Sequence, residues 1–326
     1  MVLFGDDSSP TDGGTVTATD TLDPQAQAVV DDVERLGIPE WSALGVESAR
    51  RVEDEVFAAT DAPDVARSTN FAIPGPAGEI PIRVYHPAPG ETRPVLVFFH
   101  GGLWAMGTLD SIDGVCRRLA TRSRRVVVSV DYRLAPEHPF PAGLEDCVRA
   151  TEWVAENAGS IGGDADRLAV GGTSAGGNLA AATCLHVREF GGPTIESQHL
   201  LYPMTDLSSD HQSLSENADG PLLTRRDVLW AHDTYLRSPV DRYNPFAAPL
   251  RADSYADLPP GYVVTAGFDP LRDEGAAYAT ALESAGVGVV HDHEPAMPHG
   301  FLSLTADVDV ADAALDRVAH ALKDGI

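Results

Sequence analysis

Residues 167–185 read Arg167-Leu-Ala-Val-Gly-Gly-Thr-Ser-Ala-Gly-Gly-Asn-Leu-Ala-Ala-Ala-Thr-Cys-Leu185. The first five residues suit a buried strand, and the last ten form an alanine-rich helical stretch. Between them lies Gly172-Thr-Ser-Ala-Gly176, the only Gly-x-Ser-x-Gly in the chain. Small residues let a strand-to-helix turn close sharply, which projects the serine hydroxyl outward. The following helix N-terminus offers free N–H groups and a positive dipole end to a developing oxyanion. A plain glycine-rich turn and a phosphate cradle are the competing readings. A phosphate loop wants a lysine after the glycines, and none is present.

Working outward, largely apolar runs occur at 95–99, 126–130, 168–170 and 262–266. Amphipathic helical stretches lie at 113–121, 144–157 and 175–189. Strands apolar on both faces that alternate with helices predict an α/β fold: a mostly parallel central sheet covered by helices on both faces. A half-exposed strand is expected around Ile80, Ile82 and Val84, after the turn residues at 75–78. A further strand at 198–202 is followed by about 40 residues, 203–245, too long for an ordinary loop. With its helical piece at 226–236, this segment is read as a cap insertion. Upstream, Asp23-Pro24 resembles a helix start, with Ala26, Val29, Val30, Val33 and Leu36 at helical spacing and Gly37 as the stop. A second helix is expected at 47–59. The domain reading is a flexible tail at 1–21, N-terminal helices belonging to the cap at 22–65, and a catalytic domain at 66–326.

A second motif, His100-Gly-Gly-Leu-Trp104, follows the strand that ends at Phe99. Glycines there let the backbone approach a ligand closely. Taken alone, the block also fits a tight strand-exit turn with a structural histidine. The other blocks are Asp131-Tyr-Arg-Leu-Ala-Pro-Glu-His-Pro139, Gly267-Phe-Asp-Pro-Leu-Arg-Asp-Glu-Gly275 and Pro298-His-Gly-Phe301. Together with Gly172-Thr-Ser-Ala-Gly-Gly177, these five blocks resemble, in order, the hormone-sensitive-lipase-like carboxylesterases of the α/β-hydrolase fold. The resemblance spans about residues 70–320. It implies Ser174 as nucleophile, Asp269 as triad acid and His299 as general base. It also implies an oxyanion hole from the backbone N–H groups of Gly101, Gly102, Leu103 and Ala175, with Gly102 and Leu103 as the loop's donors. The family pattern has a third glycine where this chain has Leu103. A backbone donor needs no glycine if its dihedrals are allowed.

The residues support these roles. Asp269 follows the 262–266 strand, so it can sit at the carboxyl edge of the sheet, where sites of open parallel sheets lie. His299 follows a strand-like stretch at 287–293 and lies in a Pro/Gly loop. The order Ser, Asp, His is that of α/β-hydrolases. Asp273 and Glu274 compete as the acid, yet they open the next helix, where acids complement the dipole. A metal site from His291, His293 and His299 lacks a helix-spaced pair or a cysteine partner, so no metal and no cofactor are expected. His100 is read as a loop-fixing residue. Arg133, Glu137 and His138 are expected to form an ion-pair network beneath the site. Trp104, Leu222 and Leu223 are candidate pocket residues.

Composition narrows the remaining options. There are 49 acids (32 Asp, 17 Glu) against 22 arginines and the single Lys323, a net charge of −26 in 326 residues. Such a surface repels phosphate backbones and anionic lipid, which argues against nucleic acid and stable membrane association. No apolar run approaches the ~18 residues of a membrane span. Acids stand where a signal peptide would carry bases, and Cys116, Cys147 and Cys184 have no framework spacing, so a cytoplasmic location is expected. Asp over Glu and near absence of lysine fit a salt-adapted cytosol, where molar salt screens like-charge repulsion. The functional expectation is a serine carboxylesterase for short- to medium-chain esters acting through an acyl-enzyme. An amidase or small-acyl deacetylase on the same triad stays open, as does a non-catalytic small-molecule receptor, which triad completeness disfavours. A homodimer through an edge strand or the final helix is also left open.

Overall fold

A computed structural model describes residues 21–57, 62–208 and 210–326. The expected tail at 1–21 therefore lies outside the described residues except for Thr21, as does part of the 47–59 helix. The chain forms one eight-stranded sheet in the order β1-β2-β4-β3-β5-β6-β7-β8. The strands are β1 (Arg67–Gly75), β2 (Gly78–His86), β3 (Arg93–Phe99), β4 (Val126–Val130), β5 (Gly163–Thr173), β6 (Ser197–Leu201), β7 (Gly261–Phe268) and β8 (Val289–Pro298). β1 and β2 form an antiparallel hairpin and β2 pairs antiparallel with β4, while all other pairs are parallel.

The nine α-helices of the described residues are α1 (Pro24–Arg35), α2 (Val46–Phe57), α3 (Asp113–Ser123), α4 (Ala142–Asn157), α5 (Ala175–Phe190), α6 (Gln212–Glu216), α7 (Arg225–Tyr235), α8 (Arg272–Ser284) and α9 (Asp309–Asp324). The side-chain alternation of a strand explains the two cores. In β3, Val95, Val97 and Phe99 face the core with α4 and α5 residues, whereas Leu96 and Phe98 face that of α3 and α9. Burying both faces requires apolar residues at consecutive positions, as the sequence has.

Several strand bounds differ from expectation, and both edge strands of the sheet are among them. β8 begins at Val289, not 287, and runs to Pro298, so it ends directly before His299. β1 has no apolar signature: Arg67, Ser68, Thr69 and Asn70 are all exposed, as fits an outermost strand. The connection between β6 and β7 runs over 202–260 and carries α6 and α7. The N-terminal segment packs against this insertion. Trp41 Nε1 donates to the Leu222 carbonyl at 3.2 Å, and the Ser42 amide to Asp227 at 2.7 Å. No helix among the described residues is long and apolar enough to cross a membrane.

Candidate active site

Ser174 occupies the turn between β5 and α5 with φ +54° and ψ −117°, a region that side-chain-bearing residues rarely adopt. Backbone hydrogen bonds hold it there. Its amide donates to the Leu201 carbonyl at 2.8 Å, and its carbonyl accepts from Asn178 and Met204 at 3.1 and 3.2 Å. The turn closes because Gly176 lies against β3: a Cβ there would stand 2.1 Å from the Phe99 carbonyl oxygen. The serine is thus presented at the carboxyl edge of the sheet, where the next loops converge.

His299 Nε2 lies 3.0 Å from Ser174 Oγ, and Nδ1 lies 2.8 Å from Asp269 Oδ2. A carboxylate oxygen only accepts, so Nδ1 carries the proton and Nε2 is left as the acceptor facing the serine. Asp269 is fully buried, and its other oxygen accepts the Leu271 amide at 2.8 Å. Both carboxylate oxygens are therefore engaged and the imidazole is held in one orientation. The competing acids are occupied elsewhere. Asp273 accepts from the Ser213 amide at 2.7 Å and pairs with Arg272, while Glu274 accepts the Thr205 amide at 2.7 Å. His291 and His293 both bond Thr265 Oγ1 at 2.8 Å, apart from His299, and no group of three metal-ligating residues forms among the described residues.

The 100–104 loop faces the serine. Gly102, Leu103 and Trp104 have φ of +107°, +56° and +57°. Leu103 thus adopts the left-handed conformation a glycine would take more easily, and its side chain is buried. The amides of Gly102 and Leu103 make no hydrogen bond to another described residue. Ala175 opens α5, whose first N–H groups lack intrahelical partners. His100 fixes the loop from behind. Its ring stacks on Tyr132 at 4.3 Å, its Nδ1 donates to the Gly101 carbonyl at 2.7 Å, and its own carbonyl accepts the Tyr132 hydroxyl at 2.8 Å. Burial pushes its imidazole down to about 4, so it stays neutral.

A cavity of about 110 Å³ opens over Ser174. Gly101, Gly102, Leu103 and His299 line it together with Leu222 and Leu223 from the insertion. Trp104 does not line it. Its left-handed backbone turns the indole away to stack face to face on Tyr235, 4.1 Å apart and 5° from parallel. The sequence reading missed Trp41 and Glu53 from the N-terminal segment, Met106 and Ile112 beyond the loop, and Tyr202 after β6. Tyr202 packs edge-on against the His299 ring at 4.9 Å. One signal for Glu53 was available, because it falls one turn after the buried Ala49 on α2. The expected network of Arg133, Glu137 and His138 does not form. Arg133 pairs with Asp146 at 2.8 Å, and Glu137 with Arg50 of α2 at 2.7 Å.

The fold and this site define a hydrolase. A family model described as the alpha/beta hydrolase fold matches residues 96–303, and the chain belongs to that family, on its hormone-sensitive-lipase-like branch. It is 42% identical to the esterase LipI of Mycobacterium tuberculosis over 93% of this chain and 94% of that protein. It is 48% identical to the carboxylic ester hydrolase LipN of the same organism over 72% of this chain, a match spanning 64% of LipN's length. Among solved structures, an ester hydrolase from the metagenome of Lake Arreo, bound to a bipyridine phosphonate derivative, superposes with a TM-score of 0.88 at 39% identity, covering 93% of this chain and 99% of that one. The chain is a carboxylic ester hydrolase by this membership.

Proposed function

We propose that the protein is a serine carboxylesterase for short- to medium-chain esters, with Ser174 as nucleophile, His299 as general base and Asp269 as its orienting acid. The observation that carries this reading is the continuous Ser174–His299–Asp269 chain at 3.0 and 2.8 Å on a strained strand-to-helix turn. Ser174 Oγ attacks the ester carbonyl while Nε2 of His299 takes its proton. Asp269 stabilises the imidazolium. The oxyanion receives N–H bonds from Gly102 and Leu103, with Gly101 beside them, and from Ala175. His299 then protonates the departing alkoxide, and water repeats the sequence on the acyl-enzyme. A cavity of ~150 Å³ holds benzene, so about 110 Å³ of room above Ser174 suits a small acyl group. The phosphonate bound in the Lake Arreo enzyme supports an organophosphorus probe. Ser174→Ala should lose both hydrolysis of p-nitrophenyl butyrate and covalent labelling by a fluorophosphonate. Labelling that persists in this variant refutes the assignment.

We further propose that the protein is adapted to high salt. Among the described residues, six arginines each sit between two carboxylates: Arg83, Arg122, Arg133, Arg149, Arg272 and Arg317. These six cations are thus shared while acids remain in excess, a balance that dilute buffer penalises and molar salt screens. The unfolding midpoint should rise with KCl. Equal stability in dilute buffer and molar KCl refutes this reading.

A further inference from the structure

Glu53 is the one carboxyl group among the residues that line the cavity, and the triad does not use it. It stands on α2, a helix pinned to the rest of the protein by its neighbour Arg50, whose guanidinium donates to the carbonyls of Ala105 and Ala135 at 2.8 and 3.1 Å and to both Glu137 oxygens at 2.9 and 2.7 Å. Arg50 is therefore committed and does not neutralise Glu53. Asp54, next in sequence, receives the Thr108 hydroxyl at 3.1 Å. Glu53 itself is 8% exposed and lines the same cavity as Ser174. Its Oε2 is buried and has no hydrogen-bond partner. Burial, reinforced by Asp54, pushes its carboxyl up to about 7, against the pull of Ser111 and the Gly107 amide.

A buried carboxyl oxygen without a partner destabilises the free protein. Such a cost is retained where the unmet group meets a ligand. We propose that Glu53 is a specificity-determining residue whose free oxygen binds a hydroxyl group on the ester substrate, away from the scissile carbonyl. This inference rests on the esterase reading and deepens it by naming the substrate class, hydroxylated esters. A hydroxyl fits better than an ammonium. It donates to an ionised carboxylate and accepts from a neutral carboxylic acid, so it serves Glu53 in either state. The cavity walls near it, Trp41, Met106, Ile112, Leu222 and Leu223 with the hydroxyl of Ser111, offer a cation no second carboxylate.

The test uses ester pairs that exchange a hydroxyl for a methyl group on either side of the ester. On the acyl side these are each enantiomer of ethyl 3-hydroxybutanoate against ethyl 3-methylbutanoate. On the alcohol side they are 2-hydroxyethyl butanoate against propyl butanoate. In one pair, the wild type should favour the hydroxyl member in kcat/KM by about tenfold more than Glu53→Leu does. Glu53→Leu should also raise kcat/KM for the methyl member, because an apolar group no longer desolvates a carboxyl. Glu53→Met, closer in length, should behave as the leucine variant does, and Glu53→Gln should keep the hydroxyl preference. Fluorophosphonate labelling of Ser174 reports that each variant has an assembled site. If labelling persists and both pairs give the same ratios in wild type, leucine and methionine variants, this inference fails and the esterase reading stands. If the wild type hydrolyses neither pair and labelling survives Ser174→Ala, the esterase reading fails and takes this inference with it.

Discussion

Gly102→Ala isolates the oxyanion loop from the triad. At this position φ is +107°, and an added Cβ would lie 2.4 Å from the Met106 carbonyl oxygen, 2.5 Å from its carbon and 2.9 Å from the Gly107 nitrogen. All three are backbone atoms, so no side chain can swing aside. The Gly102 carbonyl also accepts from the amides of Ala105 and Met106 at 3.0 and 2.8 Å, which ties the turn to the atoms the methyl would strike. Relief therefore requires the 101–106 segment to shift, and the amides of Gly102 and Leu103 move with it. Ser174, His299 and Asp269 stand on other elements and keep their spacing. Losing one oxyanion donor costs ~3 kcal/mol in the barrier, about 100- to 1000-fold in kcat. KM should change little, because the hole binds the charge that develops after attack. The assay is kcat and KM for p-nitrophenyl butyrate, with circular dichroism melting to fix the folded fraction. A kcat within about threefold of wild type per folded molecule would show that this loop supplies no oxyanion donor.

Two further substitutions probe charge placement. Asp269→Asn keeps an acceptor for the Leu271 amide but offers His299 Nδ1 an amide that can stabilise the wrong tautomer, so kcat should fall about 10⁴-fold with the fold intact. A loss below about tenfold would remove Asp269 from the triad. His232 is buried with neither ring nitrogen partnered, and burial pushes its imidazole down to about 4. The unfolded chain titrates near 6.5, so between those values it binds more protons than the folded one, and stability is lost as pH falls from about 6.5 towards 4. His100 and His199 are depressed in the same direction, whereas the raised carboxyls of Glu53 and Asp131 oppose them. His232→Leu removes one contribution on the order of 3 kcal/mol, so its melting temperature should exceed that of the wild type most at pH 5 and least at pH 8. An equal difference at both pH values would show that His232 does not stay neutral.

The parts legible in sequence are those whose physics is local. The strand–turn–helix around Ser174 could be read because its glycines, the apolar run before it and the alanines after it all specify one geometry. Asp269 and His299 were legible through their position after strands, which places them at one sheet edge without knowledge of side-chain contacts. Trp104 illustrates the opposite case. Its side-chain direction depends on two consecutive left-handed residues, Leu103 and Trp104, neither of which is a type that announces that conformation. Arg133 and Glu137 lie four apart in sequence, yet their partners come from α4 and from α2, elements the local pattern did not bring together. β1 stayed hidden because an edge strand exposed along most of its length carries no hydrophobic period.

The surface charge and the site obey different physics, and Glu53 marks where they meet. The shared arginines lie on partly exposed ion pairs, and the repulsion among the surplus acids around them is screened beyond a Debye length of ~8 Å at physiological strength. The Ser174–His299–Asp269 contacts are at hydrogen-bond distance in a buried setting, where added ions have little access. Under the proposed salt adaptation, salt would act on the stability of the whole chain and leave the proton transfers of the site to its geometry. The acid that lines the cavity is Glu53, and there the acidic bias has a local consequence. A free carboxylate on a substrate would face both a buried like charge and a molecule of net charge −26. Neutral esters escape that repulsion, and a hydroxyl converts the same carboxyl from an obstacle into a binding partner.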